Sequence, residues 1–177
     1  MEVELYDVLF DFSEVIKYQV DFKMDFQLTE KTKKIVLDGK PTFFNNFSSI
    51  KQKEKEISFS YSHTTKRDRN KITIEFDKEL EVGEYQMNLK YSSTATASCQ
   101  SIFLTQNDEI LYTQMEPHLC SRVFPCLDDN WNKNFFKFSF IIPNEKDVIS
   151  NMEIEKKSEF KKDKKLVQFK KTPKIPA

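Results

Sequence analysis

Glycine and histidine are both scarce in this sequence, which has two residues of each type. Two isolated glycines, Gly39 and Gly83, cannot form a glycine-rich phosphate-binding loop. They also leave most chain reversals to type I turns that contain Asn, Asp and Ser. Histidines are equally isolated, and no HExxH motif is present. The common phosphate-binding and zinc-peptidase motifs are therefore absent from this chain.

The chain also lacks a charge excess and a long apolar run. Its 28 basic residues equal its 28 acidic residues, whereas nucleic-acid binding requires a basic excess. No N-terminal apolar run is typical of a signal peptide, and no stretch approaches the roughly 20 apolar residues of a membrane span. We therefore expect a cytoplasmic domain with neither nucleic acid nor a membrane as its partner.

Cysteine is limited to Cys99, Cys120 and Cys126, an odd number that is too small for a disulfide framework. His118 precedes Cys120 by two residues, but this histidine with C-x5-C matches no common structural zinc pattern. Cys120 and His118 could pair as nucleophile and base, but the sequence supplies no third orienting residue. Free, packed cysteines are the favoured interpretation. We expect neither a metal nor a catalytic group in this chain.

Period-2 alternation is the dominant pattern. In IKYQVDFKMDFQL (16–28) every second residue from Ile16 to Leu28 is apolar and the residues between them are polar. This alternation predicts a strand with one buried face. The same reasoning predicts further strands at 56–62, 71–76, 84–91, 134–142 and 164–171.

Polar turns are predicted at 63–70 and 77–84, and single helical turns at 117–124 and 128–133. Strands separated by short polar turns predict one all-β domain over residues 1–177, mostly antiparallel and sandwich-like. Seventeen phenylalanines can supply its core. The core candidates near the middle of the chain are Phe124, Trp131, Phe136, Phe138 and Phe140, with pocket lining as the alternative for Trp131.

The stretch TQMEPHLCSRVFPCLDD (113–129) resembles the signature of the N-terminal domain of M1-family zinc aminopeptidases, in which TQxEP, an arginine and FPCxDEP recur. The order is similar along the rest of the chain. YDVLFDF (6–12) is similar to the opening strand of the family, VGEYQMNLKY (82–91) to its G-x-Y-x-L-x-I-x-Y strand, and QFKKTPKIPA (168–177) to its closing F-x-x-T-P-K-M stretch. The resemblance covers nearly the whole chain.

The resemblance implies a saddle-shaped β domain that packs on a separate catalytic domain, which holds the zinc. It also implies roles for two residues. The family glutamate at the position of Glu116 binds the α-ammonium group of the peptide substrate. The family glutamine at the position of Gln114 lines the pocket for the first side chain. In an extended segment these two side chains would share a face.

Four residues near this pair are interpreted as structural. Arg122 and Asp128 could form an ion pair that pins the segment against the sheet. Pro125 restricts the path of the loop, and Trp131 is favoured as a core residue.

Two stretches depart from the family pattern. SCQSIFLT (98–105) stands where the family has G-F-Y-x-S, and Leu-Asp-Asp-Asn (127–130) stands where it has F-D-E-P. The residues His-Leu-Cys (118–120) are closer to the leukotriene A4 hydrolase branch, whereas Glu116 matches the ordinary aminopeptidases.

Two functions therefore stay open. The chain is either the recognition domain of a zinc aminopeptidase, without chemistry of its own, or a free-standing, degenerate module that binds a peptide or protein. The cysteine usage and the lack of a signal peptide disfavour a third alternative, an adhesion module.

Overall fold

The computed structural model describes residues 1–14, 16–66, 69–97, 99–105 and 110–177. These residues form fourteen strands and two 3₁₀ turns, at Pro41–Phe44 and Cys120–Arg122, and no α-helix. The strands are β1 (Glu2–Asp11), β2 (Lys17–Leu28), β3 (Thr32–Asp38), β4 (Phe47–Gln52), β5 (Lys55–Ile57), β6 (Phe59–Lys66), β7 (Arg69–Leu80), β8 (Gly83–Thr94), β9 (Ser101–Leu104), β10 (Leu111–Gln114), β11 (Lys133–Pro143), β12 (Ile154–Lys161), β13 (Lys164–Phe169) and β14 (Ile175–Pro176).

Nine strands form one large sheet in the order β12-β13-β11-β1-β2-β8-β4-β5, with β14 paired to β11. β1 and β11 run parallel, with Tyr6 opposite Phe136, and the remaining neighbours in this sheet are antiparallel. Two smaller antiparallel sheets have the orders β3-β7-β6 and β10-β9. The prediction of an all-β, mostly antiparallel fold is confirmed.

The alternation in β2 produces the buried face that it predicts. Its six apolar residues from Tyr18 to Leu28 are buried, and the polar residues between them are partly or fully exposed. Burying one such large side chain contributes about 1.5–3 kcal/mol. Ile16 is the exception, with 54% exposure, because the strand begins only at Lys17.

The core lies between the large sheet and the three-stranded sheet. Ile72 and Ile74 of β7 belong to the same buried cluster as Phe22 and Met87 of the large sheet. Phe43, from the first 3₁₀ turn, packs against Tyr91 of the large sheet, with the tilted rings 4.6 Å apart between centroids. The sandwich-like arrangement follows from this shared core.

The two predicted polar turns are shorter in the structure. Within 63–70, the residues up to Lys66 belong to β6 and those from Arg69 belong to β7, and 67–68 lie outside the described residues. Within 77–84, β7 continues to Leu80 and β8 begins at Gly83. Strand pairing continues here through polar residues, which the apolar alternation could not reveal.

The core assignment of Trp131 is wrong, because its side chain is 93% exposed. The loop before β11 bends at Asp129, whose Oδ1 accepts hydrogen bonds from the backbone N–H groups of Trp131 (2.9 Å) and Asn132 (2.8 Å). Such an Asx turn replaces the helical turn predicted at 128–133. Phe124 and Phe136 are buried as predicted, while Phe138 and Phe140 are only partly buried.

Candidate functional site

Gln114 and Glu116 lie at the end of the short β9–β10 ribbon. Gln114 is the last residue of β10 and pairs with Ser101 of β9. Glu116 falls in the following turn, which the N–H of Leu119 closes by donating to the carbonyl oxygen of Met115 at 2.7 Å. Because the strand ends before Glu116, strand alternation does not fix a common face for the two side chains.

Both side chains are nevertheless exposed. Among the described residues, none forms an ion pair or hydrogen bond with the Glu116 carboxylate. We call residues 114–117 the recognition segment. Its carboxylate is available to a cation from outside the chain.

The residues that follow, 123–128, are fixed to the core, and we call them the anchor segment. Val123, Phe124 and Cys126 are almost fully buried. The hydroxyl of Tyr91 donates to the carbonyl oxygen of Val123 at 2.6 Å. The N–H of Leu127 donates to the hydroxyl of Tyr6 at 3.0 Å. A buried backbone group without such a partner would be costly, so these tyrosines determine where the segment lies.

Asp38 joins the anchor segment to the three-stranded sheet. Its backbone exchanges two hydrogen bonds with Cys126, of 2.8 and 3.0 Å. Its buried carboxylate pairs with Lys71, with Oδ1 at 2.7 Å from Nζ. Oδ2 accepts a bond from the N–H of Asp128 at 3.3 Å. One acidic side chain thus connects β3, β7 and the anchor segment.

Gly39 permits this close approach. A Cβ atom at this position would lie 3.2 Å from Cα of Pro125 and 3.2 Å from Cδ1 of Ile72. Pro125 itself is buried, and its structural role stays a prediction. Sequence reasoning missed the importance of Asp38 and Gly39, although an acidic residue followed by glycine at the end of an alternating strand was the available signal.

Arg122 and Asp128 do not form the predicted ion pair with each other. Nη1 of Arg122 donates to Oε1 of Gln100 at 2.6 Å. Oδ2 of Asp128 instead accepts a hydrogen bond from the N–H of Ser121 at 3.0 Å. The buried Asp128 carboxylate satisfies the backbone N–H of Ser121 in the 3₁₀ turn, and this requirement takes precedence over pairing with a more exposed arginine.

The comparison with known proteins rests on the sequence of this chain. The sequence profile of the peptidase M1 N-terminal domain matches residues 5–177. This chain belongs to that family. Tricorn protease-interacting factor F2 of Thermoplasma volcanium is 34% identical over 71 residues, which make up 40% of this chain and 9% of that protein. The match thus covers a small part of a much longer relative.

Two of the three cysteines of this M1 N-terminal domain, Cys120 and Cys126, are not suited to bind a metal or act as nucleophiles. Burial raises the pKa of the Cys126 thiol well above its ordinary value, and a hydrogen bond with Cys120 raises the pKa further. Both thiols are buried, whereas a nucleophile or ligand must be the thiolate. His118 is partly buried, and its Nδ1 has no hydrogen-bond partner among the described residues.

No group of three or more potential metal ligands comes together in the part of the chain that the structure describes. The described residues alone therefore supply no ligand set for the zinc that M1 peptidases use. No helix within the described ranges is long and apolar enough to cross a membrane.

The altered stretch 98–105 keeps its place beside the candidate site of the M1 N-terminal domain. Ser98 lies outside the described residues. From Ser101 onward the stretch forms β9, the direct partner of β10. Ile102 accepts a hydrogen bond from the N–H of Thr96 at 2.9 Å, which connects the ribbon to the end of β8.

Proposed function

We propose that this chain is the substrate-recognition domain of an M1 zinc aminopeptidase and that Glu116 binds the free α-ammonium group of the peptide. Gln114 would line the pocket for the first side chain. Zinc and the hydrolytic chemistry would belong to a catalytic domain outside this chain. The single observation that carries the proposal is an exposed Glu116 carboxylate, without a partner among the described residues, in a family-matching segment a few residues before the anchor segment.

The anchoring supports the proposal because recognition requires a fixed geometry. A binding group must be held close to its productive position by packing and hydrogen bonds in the surrounding residues. The recognition segment lies five residues before the anchor segment, which is held by hydrogen bonds to Asp38, Tyr6 and Tyr91. These bonds limit where the chain that carries Glu116 can lie, although the Glu116 side chain is exposed.

The electrostatics explain the expected selectivity. A carboxylate about 4 Å from an ammonium group gains roughly 4 kcal/mol at an effective dielectric constant of about 20. A peptide with a blocked N-terminus lacks the cation and forfeits this gain. The same carboxylate would thus restrict cleavage to the first residue of a chain.

The test is a kinetic comparison in the longer polypeptide that the proposal requires. Glu116→Gln keeps the shape of the side chain and removes its charge. Hydrogen bonds to charged groups contribute about 1.5–3 kcal/mol, so kcat/KM for peptides with a free N-terminus should fall by about 10- to 150-fold. Glu54→Gln, an exposed glutamate in the β4–β5 turn, is the matched control. Equal kinetics for wild type and Glu116→Gln would contradict the role of Glu116.

A second candidate is a non-catalytic M1-like module that binds a peptide or protein. Two observations favour it. The stretch that departs from the family pattern pairs directly with β10, next to Gln114. The chain is also similar to a protein that is named for its interaction with a protease. A peptide or protein whose binding to this chain does not depend on Glu116 would favour this candidate over the first.

A further inference from the structure

A polar cleft of about 340 Å³ lies where several elements converge. Lys40 enters it from the link after β3, and Arg122 enters from the second 3₁₀ turn. Gln100 and Ser101 come from the start of the β9–β10 ribbon, and Asn70 comes from the β6–β7 hairpin. The volume is within the roughly 300–1,000 Å³ typical of small-molecule sites. The volume of the cleft is larger than a few ordered water molecules would occupy.

The charged residues in this cleft have the same sign. Among the described residues that line it, Lys40 and Arg122 are basic and none is acidic. No described residue forms an ion pair or a hydrogen bond with the Lys40 ammonium group. Within the described ranges, the Arg122 guanidinium donates a hydrogen bond to the neutral side chain of Gln100 and has no acidic partner. The cleft thus holds two cations without a counter-charge from the described part of the chain.

This arrangement has a cost in the absence of a ligand. Lys40 is partly buried. Burial lowers the pKa of its ammonium group, and the nearby Arg122 guanidinium lowers this pKa further. Both effects disfavour the charged lysine. An anion between the two side chains would remove the repulsion and supply the missing acceptors.

We propose that this cleft binds a small oxyanion ligand, a carboxylate or a phosphate ester, between Lys40 and Arg122. Arginine carries five N–H donors in a planar fork that fits carboxylate and phosphate oxygens, and lysine adds a point charge. Gln100 engages Nη1 of Arg122, and no other side chain in the described part of the protein accepts a hydrogen bond from the guanidinium. Ser93 and Thr94, at the end of β8, line the same cleft.

The site borders the recognition segment but does not depend on it. Ser101 lines the cleft and pairs with Gln114 across the ribbon. Ser101 also has a positive φ of 65°, a conformation that is rare for non-glycine residues and is concentrated at binding and active sites. Glu116 does not line the cleft. Glu116→Gln should therefore leave oxyanion binding intact, and failure of the proposed peptidase role would not affect this site.

The test is thermal unfolding of this chain with inorganic phosphate or succinate as probes, at an ionic strength held constant with sodium chloride. A ligand that binds only the folded state raises Tm in a saturable manner. Wild type should show this response. Lys40→Gln should weaken the response at least about tenfold, as expected for loss of a charged hydrogen bond. Arg122→Gln should do the same, and Lys157→Gln, an exposed lysine on β12, is the control.

Lys40→Gln also distinguishes a loss of ligand binding from a loss of folding. Because it removes an unpaired charge, its Tm in chloride alone should equal or exceed that of the wild type. A response to one probe alone would identify the ligand as a phosphate or a carboxylate compound, and both results support the proposal. No saturable rise with either probe would overturn it. An equal rise in Tm for the wild type, Lys40→Gln and Arg122→Gln would mean a non-specific ion effect only. This result would equally overturn the proposal.

Discussion

The recognition segment and the anchor segment are separated by only a few residues, yet their surroundings are opposite. Glu116 and Gln114 are exposed, and the Glu116 carboxylate has no partner among the described residues. Phe124 and Cys126 are 1% and 0% exposed and contact the core of the domain. The motif at 113–129 therefore contains two kinds of residue. Some are buried and determine where the motif lies, and the others expose their side chains.

If this division is correct, substitutions in the two segments should differ in what they change. Those in the anchor segment should lower the free energy of unfolding. Those in the recognition segment should leave folding unchanged and affect only binding.

Phe124→Ala should have the largest effect on stability. The Phe124 ring lies 5.8 Å from Phe22 and 6.0 Å from Tyr6 between ring centroids. Truncating a buried phenylalanine leaves a cavity and costs about 3–5 kcal/mol. Urea unfolding followed by circular dichroism measures this loss. Phe160→Ala, at a 41% exposed position on β12, should cost much less, and equal losses would contradict the buried role of Phe124.

Asp38→Ala should have the next largest effect. The substitution removes the partner of Lys71 and leaves the buried N–H of Asp128 without its acceptor. An unsatisfied buried donor costs about 1–3 kcal/mol. Lys71 is half exposed, so most of this loss comes from the lost hydrogen bond rather than from the ion pair. Asp77→Ala, an exposed position on the same β7 strand as Lys71, is the control. A destabilisation no larger than that of the control would show that Asp38 does not hold the anchor segment.

Alkaline pH should weaken the anchor segment. Burial raises the pKa of Cys126 well above its ordinary 9.0 and the pKa values of Tyr6 and Tyr91 well above 10.0. Above these ordinary values the unfolded chain loses protons that the folded chain keeps. Stability is therefore fully present below about pH 9 and falls as pH rises above it.

Urea midpoints measured across this pH range test the effect. Cys126→Ala removes the group with the lowest ordinary pKa of the three. It should therefore delay the onset of the loss to higher pH. A wild-type midpoint that stays constant up to pH 11, on the order of one unit above the ordinary tyrosine value, would contradict the burial of these groups.

Glu116→Gln should have the smallest effect on stability. Substitutions at exposed positions without specific partners usually change stability by less than about 0.5 kcal/mol. The same substitution is expected to reduce turnover of peptides with free N-termini. A loss of stability comparable to that of Asp38→Ala would mean that Glu116 has a structural partner, and the contrast between the two segments would fail.

Much of the fold could be predicted from the sequence, because the alternation in β2, β7 and β8 reports directly which side chains face the core. The pairing of β6 with β7 within 63–70 could not be predicted in this way, since it depends on polar residues that carry no such pattern. The core prediction for Trp131 is wrong because it rests on the average burial of aromatic residues. The exposure of Trp131 instead follows from the Asx turn at Asp129, which is a local backbone effect. Arg122 and Asp128 have complementary charges, but each finds its partner in a residue distant in sequence or in the backbone.

The positions of Glu116 and Gln114 were predictable only through resemblance to the family. The contact between Asp38 and Cys126 joins residues far apart in the sequence. No local pattern encodes such a contact.

The most direct test of the central proposal is the mass of the native polypeptide that carries this domain in its own cells, detected with an antibody against residues of the large sheet. The proposed role in an M1 zinc aminopeptidase predicts a species far heavier than the 21.1 kDa of this chain, with a zinc-dependent aminopeptidase activity that copurifies. A species with the mass of this chain and without such activity would contradict the proposal and would instead support a non-catalytic binding module.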